Sequence, residues 1–138
     1  MRRTPRGESG VSARVLGALL GVTGTAHFLA TDFYALIVPR FLPAPRALVW
    51  ASGAAELGCA VLLIAPRTRR IGGWCAFALF LAVWPANVQM ALDGGLPGRA
   101  GLLGSPVVAW ARVPLQIPLL YWAHRLTQTE SARVHHPT

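Results

Sequence analysis

Two fully charged side chains, Glu56 and Arg112, stand inside long apolar stretches of this chain. An ionisable group in the middle of a bilayer is costly, and it usually faces a partner or a water-filled cavity. Three more polar residues, His27, Asn87 and Gln116, lie in similarly apolar surroundings. Polar groups in an apolar frame are typical of ligand pockets, proton relays and interhelical hydrogen bonds. These five residues are the candidate ligand-binding site or polar core, and the sequence predicts no catalytic residue.

Four apolar stretches carry these residues, and each is long enough to cross a membrane. A helix needs about 20 predominantly apolar residues to span the hydrocarbon core. The predicted spans are residues 11–30, 47–65, 71–92 and 104–124. Because a backbone in lipid must satisfy its own hydrogen bonds, these stretches favour helices. The predicted fold is therefore all-α, a transmembrane four-helix bundle.

The segments between and beyond the spans complete the predicted organisation. Residues 31–46 mix apolar and aromatic side chains with three prolines, which predicts a short interfacial segment between the first two membrane helices. Residues 1–10 are predicted to be a cytoplasmic N-terminal arm, residues 11–125 the four-span membrane domain, and residues 126–138 a disordered cytoplasmic tail.

Composition and charge agree with a membrane protein that does not bind nucleic acid. Only 13% of the 138 residues are charged and 54% are hydrophobic, whereas about a quarter of the residues in a soluble domain are charged. The net charge of +8 comes from arginines in short clusters, without a continuous basic face or a nucleic-acid-binding motif. Nine arginines flank one side of the predicted spans and three the other. The positive-inside rule then predicts a multi-pass protein of the cell (inner) membrane with both termini in the cytoplasm.

Depth counting brings the polar residues together. At ~1.5 Å of rise per residue, Glu56 lies near the midplane, and Arg112 lies about 12 Å below the outer end of its span. An unpaired charge at that depth is strongly disfavoured, so we expect an ion pair between Glu56 and Arg112. Gln116 follows Arg112 on the same helix face, one turn deeper. His27 and Asn87 lie nearer the outer surface, roughly 5–8 Å in. The alternative is purely structural, with the pair fixing helix register and the other polar groups bonding neighbouring helices.

Three other features have a functional and a structural interpretation. Cys59 and Cys75 lie on neighbouring spans, either as a redox pair or, as we favour, as packing residues. Gly17 and Gly21 have the spacing of a helix-contact motif, for which contact within the chain is favoured and a homo-oligomer stays open. Without a second histidine at ligand spacing to His27, no metal is expected.

Several stretches together resemble the DoxX-like family of small four-helix membrane proteins. The matching segments cover most of residues 24–125 and include residues 24–28 (Gly-Thr-Ala-His-Phe), 37–39, 42–43, 52–53, 56–57, 66–70, 73–74, 84–91 (Trp-Pro-Ala-Asn-Val-Gln-Met-Ala) and 112–116 (Arg-Val-Pro-Leu-Gln). Trp84, Val113 and Pro118 depart from the family pattern.

The resemblance implies a four-helix inner-membrane bundle and a link to quinone or thiol redox chemistry. The family takes its name from a subunit associated with thiosulfate:quinone oxidoreduction, and no catalytic residue carries over. The sequence therefore favours a redox-associated membrane protein that binds a quinone-like or other small apolar ligand, with a membrane oxidoreductase as a candidate partner. The alternatives are a non-catalytic accessory or structural subunit and, less favoured, a small proton-coupled transporter.

Overall fold

The computed structural model describes residues 6–128, and the regular elements in this range are all helical. The order is α1 (Arg6–Leu29), α2 (Thr31–Ala35), α3 (Pro45–Ile64), α4 (Arg69–Leu92), a 3-10 turn (Gly101–Gly104) and α5 (Pro106–Gln128). The predicted all-α class is confirmed. Four long helices correspond to the four predicted stretches, and the segment between the first two contains only the short helix α2.

The helix ends follow from the local sequence. Helix α3 begins at Pro45, whose fixed φ suits the first helical turn, and it stops where Ala65 adopts an extended conformation before Pro66. Two predicted boundaries shift. Helix α1 already begins at Arg6, within the predicted arm, and α5 continues to Gln128, within the predicted tail. Residues 1–5 of the arm and 129–138 of the tail lie outside the described residues.

The four long helices associate as two pairs. Helix α1 packs extensively on α3, and α4 packs extensively on α5, with a smaller contact between α3 and α4. The contacts of Gly17 with Ala60 and of Gly24 with Gly53 run in opposite chain directions, so α1 and α3 are antiparallel. A four-residue turn joins α3 to α4. The predicted antiparallel neighbours across this turn are therefore in contact.

One end of the bundle is filled by a hydrophobic core to which all four long helices contribute. Leu16 and Leu63 are its largest fully buried side chains. This core cluster consists of Ala13, Leu16, Leu20, Cys59, Ala60, Leu63, Ala76, Phe80, Ala123 and Leu126. Gly72 and Gly73 make it tight, because a Cβ on Gly72 would meet the backbone of Leu63 at 2.8 Å. The two helix pairs are thus joined firmly at this end.

The opposite end is covered by irregular chain rather than filled by the helices. A second, smaller cluster of Met90, Ala91, Leu96 and Ala109 packs there with Phe33, Ile37 and Val113. The Arg99 guanidinium lies 5.4 Å from the centre of the Phe33 ring, so the loop after α4 contacts α2. Residues of α2 and of the two loops therefore form a cap over this end.

Two of the described helices, α3 and α4, are long and apolar enough to cross a membrane by length and composition. Both coincide with predicted spans. Large apolar side chains are also exposed on the outside of α1 and α5, including Val15, Val22, Leu29, Val107, Leu115 and Ile117. The molecule thus carries apolar surface on every long helix.

Candidate functional site

A cavity of about 390 Å³ lies between the core cluster and the cap, and all five predicted site residues line it. His27 comes from α1, Glu56 from α3, Asn87 from α4, and Arg112 and Gln116 from α5. Most of the remaining wall is apolar, including Leu20, Phe80, Ile37 and Leu119. A volume of this size and a mainly apolar wall with a few polar groups are typical of small-molecule sites.

Glu56 is the most enclosed charged group of the cavity. Its carboxylate lies 2.5 Å from the Thr23 hydroxyl and 3.7 Å from His27 Nε2. The side chains of His27 and Glu56 are 12% and 11% exposed, so both are largely shielded from the surroundings. A carboxylate of α3 is thus held by two side chains of α1.

The hydrogen bonds restrict where protons can lie in this group. His27 Nδ1 is 2.7 Å from the Thr23 carbonyl, which can only accept, so Nδ1 carries a proton. His27 Nε2 therefore faces the Glu56 carboxylate. The two groups attract each other when they share one proton, which lies either on Nε2 or on the carboxylate. The Thr23 hydroxyl suits both cases, because it can donate to Glu56 or accept from it while donating to the Leu19 carbonyl at 3.1 Å.

The expected ion pair between Glu56 and Arg112 is wrong. Within residues 6–128, the ion pairs of the structure join His27 to Glu56 and Asp32 to Arg46. Depth counting placed Glu56 and Arg112 at similar heights, but α5 packs mainly on α4 and not on α3. Arg112 lines the cavity half-buried, and no described residue forms a hydrogen bond or ion pair with its guanidinium.

Helix direction explains why His27 reaches Glu56 instead. Side chains on a helix tilt toward its N-terminus. Because α1 and α3 are antiparallel, His27 tilts toward the core cluster and Glu56 tilts toward the cap, so the two side chains converge. The backbone of His27 lies level with Gly53, about one turn of α3 from Glu56. The opposite tilts of the two side chains span this distance.

Two glycines allow the helices to come close enough for this contact. A Cβ on Gly53 would lie 2.8 Å from His27 Cβ, and a Cβ on Gly24 would lie 2.9 Å from the Gly53 carbonyl oxygen. Gly17 packs against Ala60 and Ile64 of α3 in the same manner. The predicted glycine contact within the chain is confirmed. Gly24 and Gly53 continue it along the two helices and bring His27 close to Glu56.

The cap holds the outer side of His27. Tyr34 of α2 stacks on the imidazole, with ring centres 4.0 Å apart. Helix α2 is itself fixed to α3, because Trp50 Nε1 donates to the Thr31 hydroxyl at 3.0 Å and Arg46 pairs with Asp32 at 3.0 Å. The predicted interfacial segment therefore contributes directly to the wall of the site.

On the other side of the cavity, polar side chains join α4 and α5. Gln116 Nε2 donates to the Phe80 carbonyl at 2.7 Å, and Trp84 Nε1 donates to the Val113 carbonyl at 3.1 Å. Both acceptors lie five residues before a proline inside their helix, Pro85 or Pro118. Proline removes the hydrogen bond to the carbonyl four residues before it, here Leu81 or Pro114. Each accepting carbonyl is therefore next to the one that the proline leaves without a helical donor. Asn87 Nδ2 lies 3.5 Å from Gln116 Oε1, and among residues 6–128 this long hydrogen bond is the one that its side chain makes.

The sequence did not predict three polar residues of the cavity: Thr23, Tyr34 and Ser52. Thr23 and Ser52 lie four residues before His27 and Glu56, so each shares a helix face with a predicted site residue. That spacing was the available signal. Tyr34 carried no comparable signal, since its place depends on how the 31–44 segment folds back.

The cysteines take part in packing. Both are free thiols; Cys59 is buried in the core cluster, and Cys75 packs against it. Within the described part of the chain, no group of three or more His, Cys, Asp or Glu side chains could hold a metal ion.

A model of a known family matches nearly all of the described part of the chain. Residues 16–127 match the family model described as "Domain of unknown function (DUF8561)". The chain belongs to this family. The matched region of this DUF8561 member runs from α1 to α5 and includes every polar residue of the cavity. No curated protein and no solved structure has a significant match to the chain.

Proposed function

We propose that this DUF8561 member is a four-span membrane protein that binds a small, mainly apolar ligand with a polar head in its cavity. A quinone-like molecule fits this description. The observation that carries the proposal is the convergence of His27, Glu56, Asn87, Arg112 and Gln116, from four helices, on one otherwise apolar cavity.

Four spans are supported by the outer surface of the bundle. Apolar side chains project outward from α1 and α5 as well as from the two candidate spans α3 and α4. In this proposal α2 lies at the interface, and both termini face the cytoplasm of the cell (inner) membrane, as the arginine distribution favours. Fusion of alkaline phosphatase or a fluorescent protein to the C-terminus tests the topology. A periplasmic C-terminus would contradict it.

The chemistry of the cavity supports a ligand with hydrogen-bond acceptors. Arg112 offers several N–H donors without a described partner, and the Asn87 amide is held only weakly. Quinone carbonyls are acceptors, and a quinone ring matches the aromatic and aliphatic wall. The DoxX-like resemblance and its redox association remain predictions, and they agree with this ligand class.

The proposal is tested first without an assumed ligand. Mass spectrometry of small molecules retained after gentle purification should detect an amphipathic compound. Titration with a short-chain ubiquinone analogue should then give saturable binding, which Glu56→Gln and Arg112→Met weaken. Arg125→Met is the matched control, because Arg125 lies on α5 against Tyr121 and outside the cavity. Unchanged binding in both cavity variants would show that the site is wrongly assigned.

One observation favours a second function, an accessory subunit whose polar residues hold the helices together. Among residues 6–128, every buried side-chain nitrogen or oxygen has a hydrogen-bond partner. This function predicts that a membrane oxidoreductase co-purifies with the chain. It also predicts that Glu56→Gln lowers the unfolding temperature in detergent while ligand retention stays unchanged.

A further inference from the structure

We infer that the cavity selects a ligand whose polar head carries a negative charge, and that Arg112 is the residue that binds this head. The inference rests on the proposed ligand-binding function and deepens it by specifying the charge of the ligand. It follows from the charges of the cavity wall and from the hydrogen bonds already made there.

The titratable groups of the wall are His27, Tyr34, Glu56 and Arg112. His27 and Glu56 face each other across 3.7 Å, and a pair that shares one proton has no net charge. A tyrosine phenol carries no charge at neutral pH. Arginine stays protonated in proteins, so the wall carries one uncompensated positive charge, which lies on Arg112.

The protein itself does not compensate this charge. Glu56 already accepts from Thr23 at 2.5 Å and pairs with His27, both on α1. Within residues 6–128, the guanidinium of Arg112 has no hydrogen-bond or ion-pair partner. An uncompensated cation inside an apolar wall is unfavourable, and an anionic head would both neutralise it and accept its N–H groups in pairs.

The neighbourhood of Arg112 also suits such a head. Gln116, one turn further along α5, donates from Nε2 to the Phe80 carbonyl, and its Oε1 faces Asn87 Nδ2 at 3.5 Å, so both ends of its amide are engaged within the protein. Asn87 lines the same cavity and can supply a further N–H donor. The apolar wall accommodates the remainder of the ligand.

The test compares ligands that differ in charge and little in shape, using the full chain in lipid nanodiscs. Equilibrium dialysis at neutral pH measures lawsone, a hydroxynaphthoquinone that is then an anion, against its neutral methyl ether. Decanoate and decanol form a second pair without a quinone, and empty nanodiscs correct for partition into lipid. We expect the chain to bind each anion at least about tenfold more tightly than its neutral partner.

Variants then assign the preference to one residue. Arg112→Met should remove the preference for anions, Arg112→Lys should keep part of it, and Arg125→Met should leave it intact. The comparison within the unmodified chain needs no variant, so it decides the matter even if Arg112→Met does not fold.

Each outcome is decisive. Equal binding of lawsone and its ether would overturn the inference and leave the proposed quinone-like ligand standing. Selective binding of decanoate without either naphthoquinone would support the inference and count against a quinone. If none of the four probes binds, both the inference and the proposed function fail.

Discussion

The two ends of the bundle use the same four long helices and differ in what lies between them. At one end, Leu16, Leu63 and Phe80 fill the interior, and Gly72 brings the start of α4 against α3. Over the whole bundle, the extensive contacts are those of α1 with α3 and of α4 with α5, and the contact between α3 and α4 is smaller. The space left between these pairs is the cavity. Gly72 and Gly73 let the helices come into contact at the filled end. The side chains of Ser52, Ala82 and Ala86 line the other end and are too small to fill it.

Truncation of a buried side chain should have the largest effect on stability, and this effect should be confined to the filled end. Leu63→Ala should lower the free energy of unfolding by about 2–5 kcal/mol, because the side chain is fully buried and leaves a cavity. Leu48→Ala, in the cavity wall, should cost less than about 1 kcal/mol, because Leu48 already borders open space. Denaturant titration in detergent measures both.

The control for this pair is Val61→Ala, on the outside of α3 and 68% exposed. Its effect should stay within about 0.5 kcal/mol. Similar losses for Leu63→Ala and Leu48→Ala would mean that the two ends are packed alike, which would contradict the comparison.

Separation of α1 from α3 should damage the cavity end next most strongly. Gly53→Ala introduces a Cβ that would meet His27 Cβ at 2.8 Å, so the helices must move apart and the His27–Glu56 contact lengthens. We expect a loss of about 1–3 kcal/mol in stability together with weaker binding of the ubiquinone analogue.

Gly58→Ala is the matched control on the same helix. Nothing lies within 4 Å of a Cβ at Gly58, so the substitution should leave binding unchanged and raise stability by about 0.5–1 kcal/mol. If Gly53→Ala behaves like Gly58→Ala, the close approach of α1 and α3 does not position the site.

Removal of one hydrogen bond should have a smaller effect. Thr23→Val deletes the hydroxyl that lies 2.5 Å from Glu56, which should cost about 1–2 kcal/mol of stability in thermal unfolding. Thr25→Val serves as control, because the Thr25 hydroxyl is exposed and bonds only its own helix at the Gly21 carbonyl. An equal loss in both variants would show that Thr23 does not hold the carboxylate.

The smallest expected effect is a gain at the cap. Ala44 has a φ of 50°, which is in the left-handed region, and within residues 6–128 it is the one non-glycine residue with positive φ. Ala44→Gly should raise stability by about 0.5–1 kcal/mol, because glycine adopts this conformation without strain. Ala65→Gly, at the filled end with an ordinary φ of −74°, should give no such gain. Differential scanning calorimetry measures the stability of both variants. If Ala65→Gly raised the stability and Ala44→Gly did not, the strain would not lie at Ala44 in the cap.

Much of the helical organisation could be predicted because it depends on local sequence. The stretches 47–65 and 71–92 correspond closely to Pro45–Ile64 and Arg69–Leu92. A charged residue or a proline stands directly before and after each of these two apolar runs. The prediction of residues 126–138 as tail missed that Leu126 and Thr127 are buried at the filled end. Their burial depends on contacts with other helices, which a local pattern does not contain.

The sequence predicted five polar residues that line the cavity, but not which of them contact each other. Depth along a helix follows from counting residues, which placed Glu56 and Arg112 at similar levels, His27 and Asn87 nearer the outer surface and Gln116 one turn below Arg112. The partner of Glu56 depends instead on which helices are neighbours and on the rotation of each. Gly24 and Gly53 determine that neighbourhood by bringing α1 onto α3, so His27 takes the place that was predicted for Arg112.

The short turn between α3 and α4 has a mechanical consequence. It joins the two helix pairs at the filled end, and α4, with its 24 residues, extends about 36 Å from it. A rotation of about 5° between the pairs would therefore displace their far ends by about 3 Å, given the rise of the helix. The two helix pairs would then pivot about the filled end. Changes in its packing that are too small to unfold the chain would produce a larger change in the distance between the pairs at the opposite end.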